Sequence, residues 1–458
     1  MWLWALASAS KSCVLRGRET AVAVGDLSSA SALCGRLEEL RGRSVLLATR
    51  DQLPTALALI ELDGVARRIV VCPPDVAPTY LPSVIVDADV DALVVERESP
   101  ETKGIAPELP TVVMRSEPAS ESLQRRQSDN SDWVLLSSGT TGAPKLVLHT
   151  CASLTSALTR TPLRSDSAVW STFYDIRRYG GLQIFLRALG SAALVLSSPQ
   201  EPVAQFLTRV AAAGVTHISG TPTHWRRALM SGLAGTIEPG YVRLSGEIAD
   251  QGILDRLRAA YPEAVIEHAF ASTEAGVGFV VTDGLAGFPA GLLSEAGREP
   301  ELRVTDDTLE IRGPGNASRY LGGANAELRT SEGFVDTGDR VQLRDGRYYF
   351  VGRAGGVINV GGMKVYPEEV EAVINSHPQV RMSLVKARHS PITGAIVSAD
   401  VVPTDDALLG DKSHTAVLSD EIRELCQRHL APYKIPATFR FVASLETSGS
   451  GKLVRSSA

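Results

Sequence analysis

Short runs of aliphatic and β-branched residues alternate with stretches of helical periodicity through the first two-thirds of the chain. Apolar runs bounded by polar or turn-forming residues are typical of strands, and five of them begin at Val45, Arg68, Ala92, Trp133 and Ala192. Residues 202–213 and 251–260 place apolar side chains at spacings of three and four, which predicts helices. This alternation predicts a layered α/β fold with mostly parallel strands.

The pattern changes beyond Leu302, where short strands and turns follow one another through residues 308–315, 333–339 and 346–353 and predict a compact β region. After Arg353 come a Gly-rich stretch, a helix starting at Pro367, a polar insert over 404–415 and a helix over 419–429. We therefore predict a large N-terminal domain over residues 1–352, built of layered α/β subdomains plus the small β region. A small hinged C-terminal α+β domain is predicted over residues 353–458.

Composition narrows the function classes. Hydrophobic residues make up 44% and charged residues 21% of the 458 positions, as in ordinary soluble globular proteins. The formal net charge of -6 argues against binding nucleic acid through an overall basic field. No apolar segment approaches the roughly 20 residues of a membrane helix, and the apolar N-terminus is a poor signal peptide. The five cysteines lack metal-ligand spacing, so we expect a cytoplasmic protein with reduced core thiols.

The segment from Val134 to Lys145 is an apolar strand running into a loop of small residues. Glycines allow a backbone to turn closely around an anion, and hydroxyl groups and a lysine add donors and charge. Taken alone, such a loop is equally consistent with a surface turn, and the GK[ST] spacing of kinases and GTPases is missing. The candidate triphosphate-binding residues are Ser137, Ser138, Gly139, Thr140, Thr141, Gly142 and Lys145.

Five motifs in order resemble the adenylate-forming superfamily. They are SSGTTGAPK from Ser137, FASTEAG from Phe270, VDTGDR from Val335, GRAGGVINVGGMKVYPEEVE from Gly352 and SGSGKLVR from Ser448. The superfamily comprises acyl- and aryl-CoA synthetases, carrier-protein adenylation domains and luciferases. This chain is most similar to an aryl-CoA ligase with a shortened N-terminal lobe, because its first motif begins early.

The resemblance implies a set of ATP contacts. Phe270 matches the aromatic residue that stacks on adenine, while Thr273 and Glu274 match residues that contact the α-phosphate and hold Mg²⁺, for which a carboxylate is a natural ligand. Asp339 matches the aspartate that accepts the ribose hydroxyls, and Arg353 an arginine that also reaches the ribose. The remaining expected nucleotide contacts are Gly246, Glu247, His268, Ala269, Ala271 and Ser272; His268 is at least as consistent with a core or surface histidine.

Lys452 matches the lysine that promotes adenylate formation, where an ammonium offsets the repulsion between a carboxylate and the α-phosphate. Its alternative interpretation is a solvated tail lysine. The resemblance also implies that the small domain rotates after adenylation and presents Gly361 and Gly362 to a thiol. Two positions depart from the family: Gly355 stands at the usual acidic hinge residue, and Leu146 stands where glycine is common.

The acyl pocket is expected to follow the phosphate loop, over residues 172–189. Tyr174, Asp175, Tyr179 and Gly180 are placed at its edge and suit a polar-substituted aromatic acid, such as a hydroxy- or aminobenzoate. The alternative is a helix start whose Asp175 and Arg177 face solvent.

These observations predict an enzyme that uses ATP and Mg²⁺ to activate a carboxylic acid and then transfers it to CoA. One alternative gives the acyl group to the phosphopantetheine thiol of an acyl carrier protein. Another, motivated by Gly355 and Leu146, is a non-catalytic nucleotide-binding protein, although it has no physical need for the full set of motif residues. The expected partners are the acid, ATP and CoA, with an acyl carrier protein and a homodimer as further options, and neither nucleic acid nor a membrane is expected.

Overall fold

The computed structural model describes residues 3, 13–97, 106, 108–120, 130–137, 143–160, 167–199, 201–322, 327–390, 394–405, 409, 412–448 and 452–454. Strands before residue 151 are β1 Val14–Arg16, β2 Ala21–Ala23, β3 Ala30–Ser31, β4 Ser44–Ala48, β5 Arg68–Val71, β6 Ala92–Val95, β7 Thr111–Val113, β8 Ala119–Ser120, β9 Asp132–Ser137 and β10 Lys145–Thr150. Helices that begin up to Cys151 are α1 Gln52–Leu62, α2 Leu81–Asp87 and α3 Cys151–Arg160.

The next part of the chain repeats the strand and helix alternation. Its strands are β11 Val169–Thr172, β12 Ala193–Leu196, β13 His217–Gly220, β14 Tyr241–Ser245, β15 Val265–Ser272 and β16 Gly276–Val281. Its helices are α4 Tyr179–Ala188, α5 Val203–Ala212, α6 Pro222–Met230 and α7 Gln251–Ala260. The five apolar runs predicted for the first two-thirds of the chain are the strands β4, β5, β6, β9 and β12, and the two predicted helices are α5 and α7. Their bounds differ from the predicted ones by at most a few residues.

Two largely parallel sheets form the large domain within the described residues. One has eight strands in the order β16-β15-β14-β13-β11-β12-β1-β2, with antiparallel edges at β16 and β2. In the other, β9, β5, β4, β6 and β7 run parallel. Helix α1 is buried along all eleven residues in a core that includes residues of both sheets. A helix that is apolar all round must be covered on every side, so α1 lies between the layers and confirms the α/β prediction.

A smaller antiparallel sheet follows, as predicted for the region beyond Leu302. Its strands are β17 Phe288–Pro289, β18 Glu301–Thr305, β19 Thr308–Arg312, β21 Val335–Arg344 and β22 Arg347–Arg353. Strand β20 Arg319–Leu321 instead joins the sheet of β9 and β10. This crossing brings Tyr320 beside the start of β10, where the phosphate loop ends.

The C-terminal part is an α+β unit around its own apolar core. It contains β23 Ile358–Val360, β24 Met363–Val365, α8 Pro367–Asn375, β25 Val380–Ser390, β26 Gly394–Pro403, α9 Lys412–His429 and β27 Thr438–Phe441. The predicted start of α9 at Ser419 is wrong by seven residues, since the helix begins within the polar insert. Only from Leu418 does it bury apolar side chains against this core, so its first two turns carry no apolar periodicity. The domain division at residues 352 and 353 stays a prediction.

Two expectations about individual side chains need correction. Arg177 does not face solvent: it is fully buried, donates to the carbonyl oxygens of Thr49 at 2.5 Å and Arg50 at 2.9 Å, and pairs with Asp175 at 2.5 Å. Cys34 is not a core thiol, because it is exposed, whereas Cys13, Cys72 and Cys426 are buried. Among the described residues no helix is long and apolar enough to cross a membrane.

The buried Arg177 predicts a large stability effect. Replacing it with alanine leaves Asp175 and two backbone carbonyls without their donor, and removing one partner of a buried ion pair costs about 3 kcal/mol or more. The exposed pair of Arg41 with Glu38 is the matched control, since surface pairs contribute at most about 1 kcal/mol. Urea unfolding should show a clearly lower midpoint for Arg177→Ala and little change for Arg41→Ala; equal midpoints would contradict this account.

Candidate active site

Ends of separate strands converge around the phosphate loop. Ser137 ends β9 and donates its hydroxyl to Glu274 Oε1 at 3.1 Å. Lys145 begins β10, and its ammonium lies 5.1 Å from the centre of the Tyr320 ring. Tyr320 in turn hydrogen-bonds Glu274. Burial, followed by the charge and hydrogen bond of Glu274, raises the pKa of Tyr320 to about 12. The cluster brings a carboxylate, an ammonium and two hydroxyls together; Ser138, Gly139, Thr140, Thr141 and Gly142 lie outside the described residues.

His149 fixes the turn that carries Thr273 and Glu274. Its ring is fully buried, with Nε2 2.7 Å from the Thr273 carbonyl oxygen and Nδ1 2.9 Å from Ser153 Oγ. Because a carbonyl only accepts, we assign the proton to Nε2, and Nδ1 then accepts from Ser153. Burial lowers the pKa of His149 from 6.5 to about 4. The imidazole is therefore neutral at pH 7, and its hydrogen bond to the Thr273 carbonyl oxygen holds the backbone of this motif in place.

The expected adenine-binding segment is strand β15. Phe270 is half-buried and stacks on Phe350, with ring centres 5.2 Å apart and planes 10° apart. His268 directs Nε2 to the Leu285 carbonyl oxygen at 2.9 Å, so that nitrogen is already engaged. Ala269 is buried and Ser272 accepts the Ala275 amide at 2.9 Å. One face of Phe270 thus packs on Phe350. His268 uses Nε2 in a hydrogen bond within the protein, so this nitrogen is not available to a nucleotide.

Asp339 and Arg353 face one another across strands β21 and β22, where they are register partners. Arg353 Nε lies 3.0 Å from Asp339 Oδ1, and Nη2 lies 3.4 Å from Oδ2. The aspartate raises the pKa of the arginine, so the guanidinium stays charged. The pair offers acceptors and donors side by side at the point where the two predicted domains meet.

Lys452 lies over the turn that follows β14. Gly246 has φ of +84°, and a Cβ built on it would lie 3.5 Å from Lys452 Cε and 4.0 Å from Nζ. The adjacent amide of Leu453 donates to Glu247 Oε1 at 3.3 Å, while Glu247 Oε2 accepts the Thr223 amide at 2.9 Å. Glu247 therefore ties the closing turn to the N-terminus of α6. Lys452 is exposed to solvent at the mouth of the cleft. Desolvation by the protein atoms around its ammonium, followed by the nearby charge of Arg353, lowers the pKa of Lys452.

Further contacts dock the C-terminal unit in this position. Arg227 in α6 donates to Thr447 Oγ1 at 3.0 Å. Met230, at the end of the same helix, packs against an apolar cluster that includes Met382 and Leu445. Gly361 and Gly362 instead form the exposed turn between β23 and β24, with φ of +55° and +86°. The lysine, and not this glycine turn, is the element held over the cleft.

A small cavity lies between α4 and the end of the first sheet. Its volume is about 20 Å³, which is room for about one water molecule. Tyr174, Tyr179 and Gly180 line it as expected, and Ala271, expected as a nucleotide contact, lines it too; the others are Gln183, Ile184, Arg187, Arg243, Ser245 and Val277. Asp175 is not among the lining residues, because its carboxylate is held by Arg177.

Arg243 and Glu267 were missed by the sequence interpretation. They are register partners on β14 and β15 and form a buried ion pair that also includes the Tyr241 hydroxyl. Charged residues inside otherwise apolar strands are the available signal, since such positions are rarely charged unless paired. The Arg243 side chain lines the cavity beside Arg187. Burial is the larger cause that lowers the pKa of Arg187, and the positive charge of Arg243 is the second.

Mg²⁺ fits the site only in combination with a ligand. No group of three or more His, Cys, Asp or Glu side chains able to hold a metal occurs in the described part of the chain. Mg²⁺, however, commonly binds through one or two carboxylates plus substrate phosphates and waters. Glu274, an acceptor beside Ser137 and the phosphate loop, suits that type of binding.

Comparisons with known proteins identify relatives of this chain. The model of the AMP-binding enzyme family matches residues 42–321, and that of its C-terminal domain matches residues 369–452. A 2-succinylbenzoate–CoA ligase of Salmonella typhimurium is 29% identical over 77% of each chain. A feruloyl-CoA synthase of an Amycolatopsis species is 28% identical over 70% of this chain and 68% of its own.

Other comparisons concern relative length and fold. For three further curated relatives the match spans 47% to 63% of their length. The crystal structure of the anthranilate CoA ligase AuaEII with anthranoyl-AMP has a TM-score of 0.82 at 18% identity, covering 98% of this chain and 95% of that one. At that identity the likeness establishes the fold.

The buried neutral His149 predicts a pH-dependent stability. Below pH 6.5 this histidine is protonated in the unfolded chain, whereas in the folded protein it stays neutral down to about pH 4. The free energy of unfolding therefore falls between pH 6.5 and about pH 4, by up to about 3 kcal/mol from this residue. His149→Gln keeps an N–H donor but cannot titrate and should flatten that part of the profile. Unfolding free energies across this range test it, with the exposed His389→Gln as control; an unchanged slope in His149→Gln would contradict it.

Proposed function

Because this chain belongs to the family of AMP-binding enzymes, we propose that it uses ATP to activate a carboxylic acid as an acyl-adenylate and then transfers the acyl group to CoA. It is thereby an acid–thiol ligase. The observation that carries the proposal is the position of Lys452 over Gly246, next to the cavity-lining Ser245 and within electrostatic range of Asp339 and Arg353.

The charges of the site suit the first half-reaction. A carboxylate oxygen of the acid attacks the α-phosphorus of ATP, the bond to the β-phosphate oxygen breaks, and pyrophosphate leaves. The approaching groups are both anions, so a cation placed between them lowers the barrier most. Lys452 can occupy that position, while Asp339 and Arg353 hold the ribose and Phe270 stacks on adenine. Mg²⁺, held by Glu274 and the phosphates, would neutralise charge on the triphosphate.

The second half-reaction needs a different arrangement. The CoA sulfur attacks the acyl carbonyl carbon, its proton is released to a base or to water, and the carbon–oxygen bond to AMP breaks. In the present arrangement Lys452 lies over Gly246, and Gly361 and Gly362 form an exposed turn. Rotation of the C-terminal unit about the Gly352–Gly356 segment would exchange the two and bring the glycine turn to the cleft. Glycines at 355 and 356, in place of an acidic hinge residue, still permit large changes in backbone dihedral.

The acid is proposed to be a substituted aromatic one. Tyr174 and Tyr179 provide flat apolar surface with polar tips beside Gln183 and two arginines. Because the cavity holds about one water molecule, it has to widen when the acid binds. A long fatty chain would find little matching surface there. A cytoplasmic location, where ATP and CoA are available, and a homodimer stay predictions.

Transfer to an acyl carrier protein is the closest competing proposal, since its phosphopantetheine arm ends in the same thiol. Incubating the enzyme with ATP, acid and either CoA or a carrier protein decides between them. Release of AMP with CoA alone supports the ligase; release only with the carrier protein supports the alternative. Absence of pyrophosphate exchange with a broad panel of acids, despite ATP binding, would instead support a non-catalytic nucleotide-binding protein.

Lys452 provides the direct test of the first half-reaction. Lys452→Ala should reduce acid-dependent exchange of labelled pyrophosphate into ATP by at least about 100-fold, because a preorganised charge at the reacting phosphate is removed. Lys434→Ala is the control, since that lysine pairs with Glu369 at 2.6 Å within the C-terminal unit. Normal exchange in Lys452→Ala would refute the lysine's role.

The pH profile gives an independent test. The charged ammonium is the active form, so exchange should decline as pH rises through the folded-state pKa of Lys452, which lies below 10.5. In Lys452→Arg, the charge persists to higher pH, and whatever activity remains should lack this decline. A decline identical in both proteins would assign the titration to another group.

A further inference from the structure

Helix α7 of the large domain also contacts the C-terminal unit, apart from the closing turn. Arg256, in the middle of this helix, donates from Nη2 to the Val380 carbonyl oxygen at 2.8 Å. One turn earlier, Gly252 lies against the carbonyl oxygen of Asn375, the last residue of α8, and a Cβ built on the glycine would lie 3.2 Å from that oxygen. Neither residue of α7 is among the expected nucleotide or acyl contacts.

The carbonyl of Val380 suits an acceptor role because its register partner cannot donate to it. Val380 begins β25, and the residue opposite it on β26 is Pro403, which has no backbone N–H. The register also shifts between Val380 and Met382, so the pairing is irregular at this end of the strand. Val380 is fully buried, and a buried carbonyl needs a partner. Arg256 supplies that partner across the boundary between the two units.

Gly252 allows the end of α8 to approach the start of α7. The last carbonyls of a helix lack intrahelical donors and its first N–H groups lack acceptors, so two such ends attract one another. Asn375 Oδ1 accepts from Ser383 Oγ at 2.9 Å, which holds the end of α8 in place. Glycine is a poor helix former. Its presence in the first turn of α7 therefore fits a need for space at this contact.

Helix α7 is firmly anchored to the large domain. Asp250 precedes it, accepts the Ile253 amide at 3.0 Å and pairs with Arg226 of α6, and both charged side chains are buried. Helix α6 also carries Arg227, which donates to Thr447 of the closing turn. One anchored pair of helices thus contacts the C-terminal unit at two separate places.

We infer that Gly252 and Arg256 are positioning residues for adenylate formation; this rests on the proposed function. A single contact leaves a rotating body free to pivot, whereas two separated contacts fix its orientation. The closing turn places Lys452 over Gly246, and the α7 contacts hold α8 and the start of β25 in the same unit. The rotation proposed for thiol transfer would separate α7 from both elements. These contacts therefore favour the first half-reaction alone.

Two substitutions test this role by different routes. Arg256→Ala removes the donor to Val380, and Gly252→Gln places a side chain at the end of α8 while favouring α7 as a helix. Each should lower pyrophosphate exchange with hydroxy- and aminobenzoates by about 5-fold, as expected for the loss of one interfacial contact. Thioester formation from added hydroxybenzoyl-adenylate and CoA should stay at the wild-type rate.

Matched controls lie at similar positions without these contacts. Arg258→Ala changes an exposed arginine on the same helix. Gly235→Gln makes the glycine change at an exposed position where a Cβ would meet nothing within 4 Å. Both controls should keep wild-type exchange. Urea midpoints equal to that of the wild type in all four variants would show that exchange is not lost through unfolding.

The position of the C-terminal unit can be measured without turnover. Spin labels at Gln205→Cys in α5 and Gln427→Cys in α9, both exposed positions, report the distance between the units by pulsed electron paramagnetic resonance. Cys34 and Cys151, the cysteines that are not buried, are replaced by serine. With ATP and Mg²⁺, the wild type should show mainly the distance of the docked arrangement. The population at that distance should fall in both α7 variants in proportion to their exchange.

The outcomes separate two failures. Unchanged exchange with an unchanged docked population, an equal loss of both half-reactions, or a loss explained by a lower urea midpoint would overturn the positioning role and leave the proposed function standing. A wild type that exchanges pyrophosphate with none of the acids would overturn the proposed function itself. In that case the distance measurement would still decide whether the α7 contacts hold the C-terminal unit.

Discussion

The proposed function depends on one cation, the ammonium of Lys452, placed at a cleft where we propose that two anions meet. The ammonium of Lys452 comes from the last described residues, yet it lies against Gly246 of the large domain. Polar bonds from Leu453 to Glu247 and from Arg227 to Thr447 help to hold it there, together with the packing of Met230 against Met382 and Leu445. Each such hydrogen bond is worth about 0.5–1.5 kcal/mol. Individually weak contacts of this kind suit the proposal that the docked state forms for one step and is released for the next.

The rigid part of the site is built differently. Fully buried groups set the positions of its strand ends: Arg177 joins the loop after β11 to the end of β4, and His149 holds the Thr273 carbonyl. Arg243 and Glu267 lock β14 to β15 beside the cavity. Losing either partner of such a buried pair is costly. These buried groups fix the geometry of the strand ends, and the C-terminal unit supplies the charge that is proposed to move.

Much of the fold could be predicted because its buried parallel strands read as continuous apolar runs. The start of α9 could not, since its first two turns touch no core and therefore carry no apolar pattern. The nucleotide motifs were recognisable from local sequence, whereas Arg243 and Arg256 were not. Their importance comes from the register of β14 on β15 and from the contact of α7 with the C-terminal unit, which only the tertiary structure defines. Arg177 was misjudged for the same reason.

The central claim is that the docked closing turn is the adenylate-forming arrangement. A reducible bis-maleimide cross-link between Arg227→Cys and Thr447→Cys would lock it, with the exposed Cys34 replaced by serine; a cross-linker is needed because the contact is made by the end of a long arginine side chain, beyond the reach of a disulfide. We expect the cross-linked protein to keep acid-dependent pyrophosphate exchange and lose thioester formation with CoA, and cleavage of the cross-link by reduction to restore it. Loss of exchange in the locked protein, with thioester formation from added acyl-adenylate retained, would contradict the account.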